Sequence, residues 1–176
     1  MPDDLADRHV KRWRNHWIDV PFDDEVEAAI VRIQWIAERL TAYKAEAAAR
    51  VGLELAEYAT LHTLMIRDTP GRASPTRLAE DLGISPAGMT GRLAKLERAG
   101  YVQRVPSGAD RRRLDVEVTR SGAALWRQAM DLRGRREDDM TDTLSRKELA
   151  TLNRMLKRML ARLDRTAAPD DGVSGD

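Results

Sequence analysis

Three histidines, no cysteine and a concentration of arginine bound the chemistry open to this chain of 176 residues. His9 and His16 stand seven apart, so a helix would turn both to one side, but no acid completes a metal triad at a workable spacing. Ser85 and Ser121 fall at expected helix starts, where capping of backbone amides accounts for them. The absence of cysteine excludes disulfides, thiolate metal sites and thiol redox sensing. No glycine-rich phosphate loop is present. The residue types therefore argue against an enzyme, and neither a cofactor nor a metal is expected.

Cationic chemistry remains. Arg72, Arg77, Arg92, Lys95, Arg98, Arg104, Arg111, Arg112 and Arg113 face only Glu80, Asp81, Glu97 and Asp110 in the same stretch, an excess of five positive charges in a chain of net charge +1. A basic module within a slightly acidic remainder suits a phosphate-facing surface, although a solvated charged surface would look the same by charge alone.

The elements around this stretch decide what it can meet. Composition rich in Ala, Leu and Arg, with 34% charged residues, predicts a mostly helical chain. Trp13 and Trp17 share a face of a short helix in an N-terminal extension, 1–22. Asp23-Asp24-Glu25 opens a long helix carrying Val26, Ile30, Ile33, Ala37, Leu40 and Ala47 at helical spacing up to Gly52. Val31, Trp35 and Ile36 widen its apolar face beyond what one small chain readily covers. A second helix, Leu55 to Ile66, turns Tyr58, Leu61, Leu64 and Met65 inward and breaks at Thr69-Pro70-Gly71.

Ser74-Pro75 and Ser85-Pro86 each place a capping hydroxyl before a first-turn proline. The first of these helices buries Leu78, Ala79 and Leu82; Gly83 supplies the turn; the second turns Met89, Leu93 and Leu96 inward up to Gly100. Two short helices joined in this way make a helix-turn-helix unit. A strand from Tyr101 to Val105, a turn from Pro106 to Asp110, and alternating Leu114, Val116 and Val118 then form a hairpin with a basic tip. Thr119 caps another long helix with Leu125, Trp126, Ala129 and Leu132, and the charged run Arg133 to Asp139 is a place for it to kink. Ser145 and Glu148 form a capping box for a last helix with Leu149, Leu152, Leu156, Met159, Leu160 and Leu163. The tail 167–176 reads as disordered. No apolar run reaches the ~18 residues of a membrane span, and the first residues lack the apolar stretch of a secretion signal. A cytoplasmic protein is expected.

In that order the elements resemble the MarR family of winged-helix regulators, over Asp23 to Leu163. Three stretches carry the resemblance: Gly52-Leu53 to Leu61; Pro75-Thr76-Arg77-Leu78-Ala79-Glu80-Asp81-Leu82-Gly83-Ile84-Ser85 leading into Gly91 to Glu97; and the wing, Val102-Gln103-Arg104 through Asp110-Arg111-Arg112-Arg113 to Gly122. The resemblance implies an α+β fold, mostly α with a small β wing. It places a DNA-binding lobe at 54–119 and dimerisation helices at 23–51 and 120–165, all within one domain of 23–166. It also implies a two-fold homodimer whose lobes each read half of a pseudo-palindrome in double-stranded DNA, with half-sites about 10 bp apart. A ligand-responsive repressor is the expected function.

On the second motif helix, Leu93 and Leu96 point inward, which leaves Ser85, Ala87, Gly88, Thr90, Gly91 and Lys95 on or near the free face. Ser85 and Thr90 can reach a base or phosphate, small Ala87 and Gly88 permit close entry, and Ala87 suits a thymine methyl. Arg92 can read guanine or hold a phosphate; an ion pair with Glu97 or Asp81 is the alternative. Arg111 suits minor-groove insertion. By the family's wing pattern, Asp110 and Arg112 brace the hairpin, while Arg104 and Arg113 act as phosphate contacts or hairpin supports. Family members often take small aromatic or anionic ligands between the dimer helices and the lobe. Trp13, Trp17, Trp35, Tyr58, His62, Met65 and Arg92 are the corresponding candidates here, against simple core packing for most of them. The N-terminal segment looks like the extra helix of a urate-responsive subgroup, but Ala59 stands where that subgroup carries an aspartate. The rival expectations are a winged-helix protein-interaction module and a regulator without a small-molecule ligand.

Overall fold

The computed structural model describes residues 2–14, 23–108 and 113–167. Seven helices and a small sheet follow in the order α1 (Leu5–Arg14), α2 (Asp24–Arg50), α3 (Leu55–Met65), β1 (Arg72–Ala73), α4 (Pro75–Asp81), α5 (Pro86–Arg98), β2 (Val102–Pro106), β3 (Leu114–Val118), α6 (Arg120–Thr141) and α7 (Arg146–Ala167). The chain divides into two compact units, 1–134 and 135–176. None of the helices among the described residues is long and apolar enough to cross a membrane.

Local side-chain chemistry sets most of the boundaries. Asp23 caps α2 by accepting from the amides of Glu25 and Val26. Ser74 and Ser85 cap α4 and α5 through the amides of Arg77 and Gly88, each ahead of a first-turn proline. Thr119 accepts from the Gly122 amide at the start of α6. In the second unit, Ser145 and Glu148 bond reciprocally at the start of α7. At the other ends, Gly52, Gly83 and Gly100 take left-handed backbone with φ of 77°, 61° and 75° and close α2, α4 and α5.

The first unit has one continuous core. Leu61 and Leu64 of α3, Leu78 of α4, and Met89, Leu93 and Leu96 of α5 are almost wholly excluded from solvent, with Val102 and Val116 covering from the sheet and Ala129 from α6. The sheet runs β1-β3-β2, antiparallel throughout, with Val102 opposite Val118 and Pro106 opposite Leu114. The two-residue strand β1 lies outside the expected hairpin; its Arg72 pairs with Glu117 and its Ala73 with Val116. Helix α1 packs on α2. Arg32 binds Asp4 and Asp7, and His9 contacts Glu27 at 2.9 Å.

Two sequence expectations change. The charged run Arg133 to Asp139 does not interrupt α6, which is one helix from Arg120 to Thr141; Thr141 and its neighbours, not the arginines, end it. The second strand begins at Val102 and reaches Pro106, because the Tyr101 amide closes the end of α5 by donating to the Leu96 carbonyl. The tail from residue 168 lies outside the described residues.

Candidate nucleic-acid interface

The inward face of α5 is fixed by Met89, Leu93 and Leu96, all essentially buried. A helix with that stripe must present its other side to solvent. Ser85, Ala87, Gly88, Thr90, Gly91 and Lys95 are exposed there and Arg92 is half-buried beside them. Nothing stands within 4 Å of a Cβ added at Gly91, and only the Ser85 hydroxyl approaches one at Gly88. The first two turns of α5 are thus a low, narrow surface that a groove wall could approach closely.

Polar groups on that surface differ in how far they are already engaged. The Ser85 oxygen accepts from the Gly88 amide at 3.1 Å, and the Thr90 hydroxyl donates to the Pro86 carbonyl at 2.9 Å. Each retains capacity for another partner. Arg92 makes no ion pair among the described residues. Its two sequence alternatives are occupied elsewhere: Glu97 accepts from Arg104 at 3.2 Å, and Asp81 is bound by Arg67 and Arg77. Lys95 departs furthest from a simple reading. Its ammonium donates to both oxygens of Glu54, at 3.0 and 2.9 Å, and lies 3.7 Å from Glu57. The Glu54 hydrogen bonds and charge raise the Lys95 pKa above its ordinary 10.5. Lys95 therefore ties α5 to the first turn of α3, and it meets a phosphate only by leaving those carboxylates.

The wing extends from the same lobe. Arg104 is committed to Glu97 and so joins β2 to α5. Arg113 is exposed and makes no ion pair among the described residues. Asp110, Arg111 and Arg112 lie outside the described residues, as do His16 and Trp17. Sequence reasoning missed Arg72. From β1 it donates through Nε to Asp115 at 3.1 Å and through Nη2 to the Pro106 carbonyl at 2.6 Å. A cavity of about 510 Å³ beside this brace is lined by Ser74, Thr76, Arg77, Ser107, Arg113 and Asp115, among others.

The residues expected around a small-molecule pocket are divided among several elements. Tyr58 is buried and stacks on His62 with ring centres 5.6 Å apart and planes at 16°. The Trp126 indole donates to His62 Nδ1 at 3.1 Å. The Tyr58 hydroxyl donates to Met130 Sδ and accepts from Arg133. Trp126, Met130 and Arg133 come from α6, some 60–75 residues along the chain, and only the fold reveals them as partners. Trp35 is half-buried on α2, Met65 half-buried at the end of α3, and Trp13 on α1 is in ring contact with His9.

Comparison with known proteins gives this arrangement its context. Residues 51–113, from the end of α2 to the wing, match the family model described as MarR family. The regulator PecS of Dickeya dadantii is 28% identical over 151 residues, covering 85% of this chain and 89% of that protein. The multiple antibiotic resistance protein MarR of Escherichia coli is 33% identical over 88 residues, covering 49% of this chain and 61% of that protein. A solved structure of an Escherichia coli MarR mutant, complexed with operator DNA, superposes with a TM-score of 0.59 at 24% identity, over 80% of this chain and 99% of that one. With the wing on the same core as α4 and α5, and with residues 51–113 matching its family model, the chain is similar to the MarR family of winged helix-turn-helix transcriptional regulators.

Proposed function

We propose that the chain acts as a homodimer on a pseudo-palindromic site in double-stranded DNA, and that it represses transcription from there. The observation that carries the reading is the exposed face of α5. Small Ala87 and Gly88, the capping hydroxyl of Ser85 and the Thr90 hydroxyl share this face with Arg92, and the wing adds Arg113; neither arginine makes an ion pair among the described residues. Such a face can enter a major groove closely, with cations toward the phosphates. Arg111 completes it as the minor-groove reader.

The relatives support this: the operator complex is of a protein with the same fold. The dimer is supported by α7, on which not one described residue is buried although Leu152, Met155, Met159, Leu160 and Leu163 are 39–62% exposed. An apolar stripe of that size needs a covering surface, and a two-fold partner supplies one.

Footprinting on the DNA flanking the protein's own gene tests the reading directly. The expected result is protection of two half-sites about one helical turn apart, with affinity falling steeply as salt rises. Absence of binding to any duplex at low salt would overturn it. A small-molecule effector belongs to the same proposal, although the internal bonding of Tyr58, His62 and Trp126 favours packing for those three. A rise in melting temperature with one of a panel of aromatic acids, urate and metabolites would support an effector.

A further inference from the structure

We propose that Arg72 is the positioning residue of the wing, holding the hairpin at its working angle without touching DNA; the inference rests on the wing facing DNA. Arg72 belongs to the basic stretch, and by charge alone it would be counted among the phosphate contacts. Its geometry says otherwise. The guanidinium bridges both strands of the hairpin, reaching Asp115 on β3 at 3.1 Å and the carbonyl of Pro106, the last residue of β2, at 2.6 Å. Asp115 is its counter-charge and is well covered, with 17% of its side chain exposed. Arg72 itself is anchored by β1, which pairs with β3. Gly71 secures the approach: its φ is 85°, a Cβ there would lie 2.8 Å from Val118 Cγ1, and its carbonyl accepts from the Val118 amide.

The brace sits where the hairpin leaves the sheet. Val105 and Pro106 are the final residues of β2 in register with Asp115 and Leu114, and beyond them, among the described residues, the Ser107 amide to Arg113 carbonyl bond continues the pairing. A two-stranded extension is weakly held by itself. A planar fork that joins β1, β2 and β3 at its root restricts the angle at which the tip projects.

A label and a salt titration test this together. The chain has no cysteine, so Gly108→Cys, at an exposed position where an added Cβ meets nothing, carries a single spin label. In that background Arg72→Ala and Asp115→Ala are expected to increase label mobility, Arg72→Lys to increase it less, and Arg113→Ala to leave it unchanged. On the footprinted duplex, Arg72→Ala and Asp115→Ala should each weaken binding roughly tenfold if the wing then spends about a tenth of its time at the working angle. The slope of log affinity against log salt should stay at the wild-type value. A lost phosphate contact would lower that slope by about one, and such a drop in Arg72→Ala would overturn the proposal. Asp115→Ala gives the opposite sign under the two accounts, because deleting a negative charge tightens DNA binding unless the brace matters. Unchanged label mobility in Arg72→Ala overturns the brace, whatever the DNA result. Failure of the wild type to bind any duplex overturns the DNA reading and leaves the mobility arm intact.

Discussion

Of the cations on the lobe, Arg104 and Lys95 are each held by a carboxylate, whereas Arg92 and Arg113 make no ion pair among the described residues. A phosphate approaching Arg92 or Arg113 would have no such ion pair to displace among the described residues. Lys95 is the informative intermediate case. Glu54→Gln removes one of its two counter-charges, and because an exposed ion pair is weak, low-salt DNA affinity should rise only by a few fold. A fluorescence anisotropy titration measures this. None of these pairings is legible in sequence: Lys95 and Glu54 are 41 positions apart, Arg72 and Asp115 are 43 apart, and neither helical nor strand periodicity connects them. The capping roles of Ser74, Ser85, Thr119 and Ser145 were legible, because a cap bonds to amides two or three residues ahead. Lys95 is expected on the free face of the motif helix and Arg104 as a phosphate contact or a hairpin support; in the structure both are engaged with carboxylates of the lobe. Charge counting could not foresee that.

At the scale of elements, the junction between α5, the wing and α6 is closely packed. The Thr119 and Ser121 hydroxyls both donate to the Gly100 carbonyl, at 2.7 and 2.9 Å. A Cβ at Gly122 would lie 2.1 Å from the Tyr101 carbonyl oxygen. Gly122→Ala is therefore expected to destabilise by at least about 1–3 kcal/mol. Gly134→Ala, on the same helix but with open space around it, should stabilise by up to ~1 kcal/mol. Thermal denaturation of the two variants checks both signs. Sequence reasoning had marked Gly122 as part of the wing signature without a physical role, since close approach by a distant backbone leaves no local pattern.

The contact between α1 and α2 yields a pH prediction. The Arg32 hydrogen bond, followed by the Asp7 amide, lowers the Asp4 pKa from 3.8 to about 2. A carboxylate with a depressed folded pKa stabilises fully above its unfolded value, and that contribution disappears as pH falls through the folded value. The docking of α1 should thus weaken between about pH 4 and pH 2. An NMR titration of Ala6 and Val10 should give a midpoint near 2, moving back toward 3.8 in Arg32→Ala.

For the whole molecule, the exposed apolar residues on α2 and α7 argue most strongly for a partner. Val26, Ile30, Ile33 and Ile36 on α2 are 36–59% exposed. Sequence periodicity marks the apolar faces of both helices, and the breadth of the α2 face already exceeds what one small chain readily covers; the structure adds which residues stay uncovered. Replacing both Leu160 and Leu163 by Glu should yield a folded monomer in analytical ultracentrifugation, and protection of both operator halves should then require much higher protein concentration. A wild-type chain that sediments as a monomer at micromolar concentration would remove the two-fold reading.

The seam at Gly122 also bears on how a signal could travel. The first turn of α6 and the end of α5 share one carbonyl, and there is no room between their backbones for even a methyl group. Such a joint has no slack. Any force that rolls or slides the start of α6 is passed to Gly100 and Tyr101 as if through a crank, turning the end of α5 and the root of the wing together.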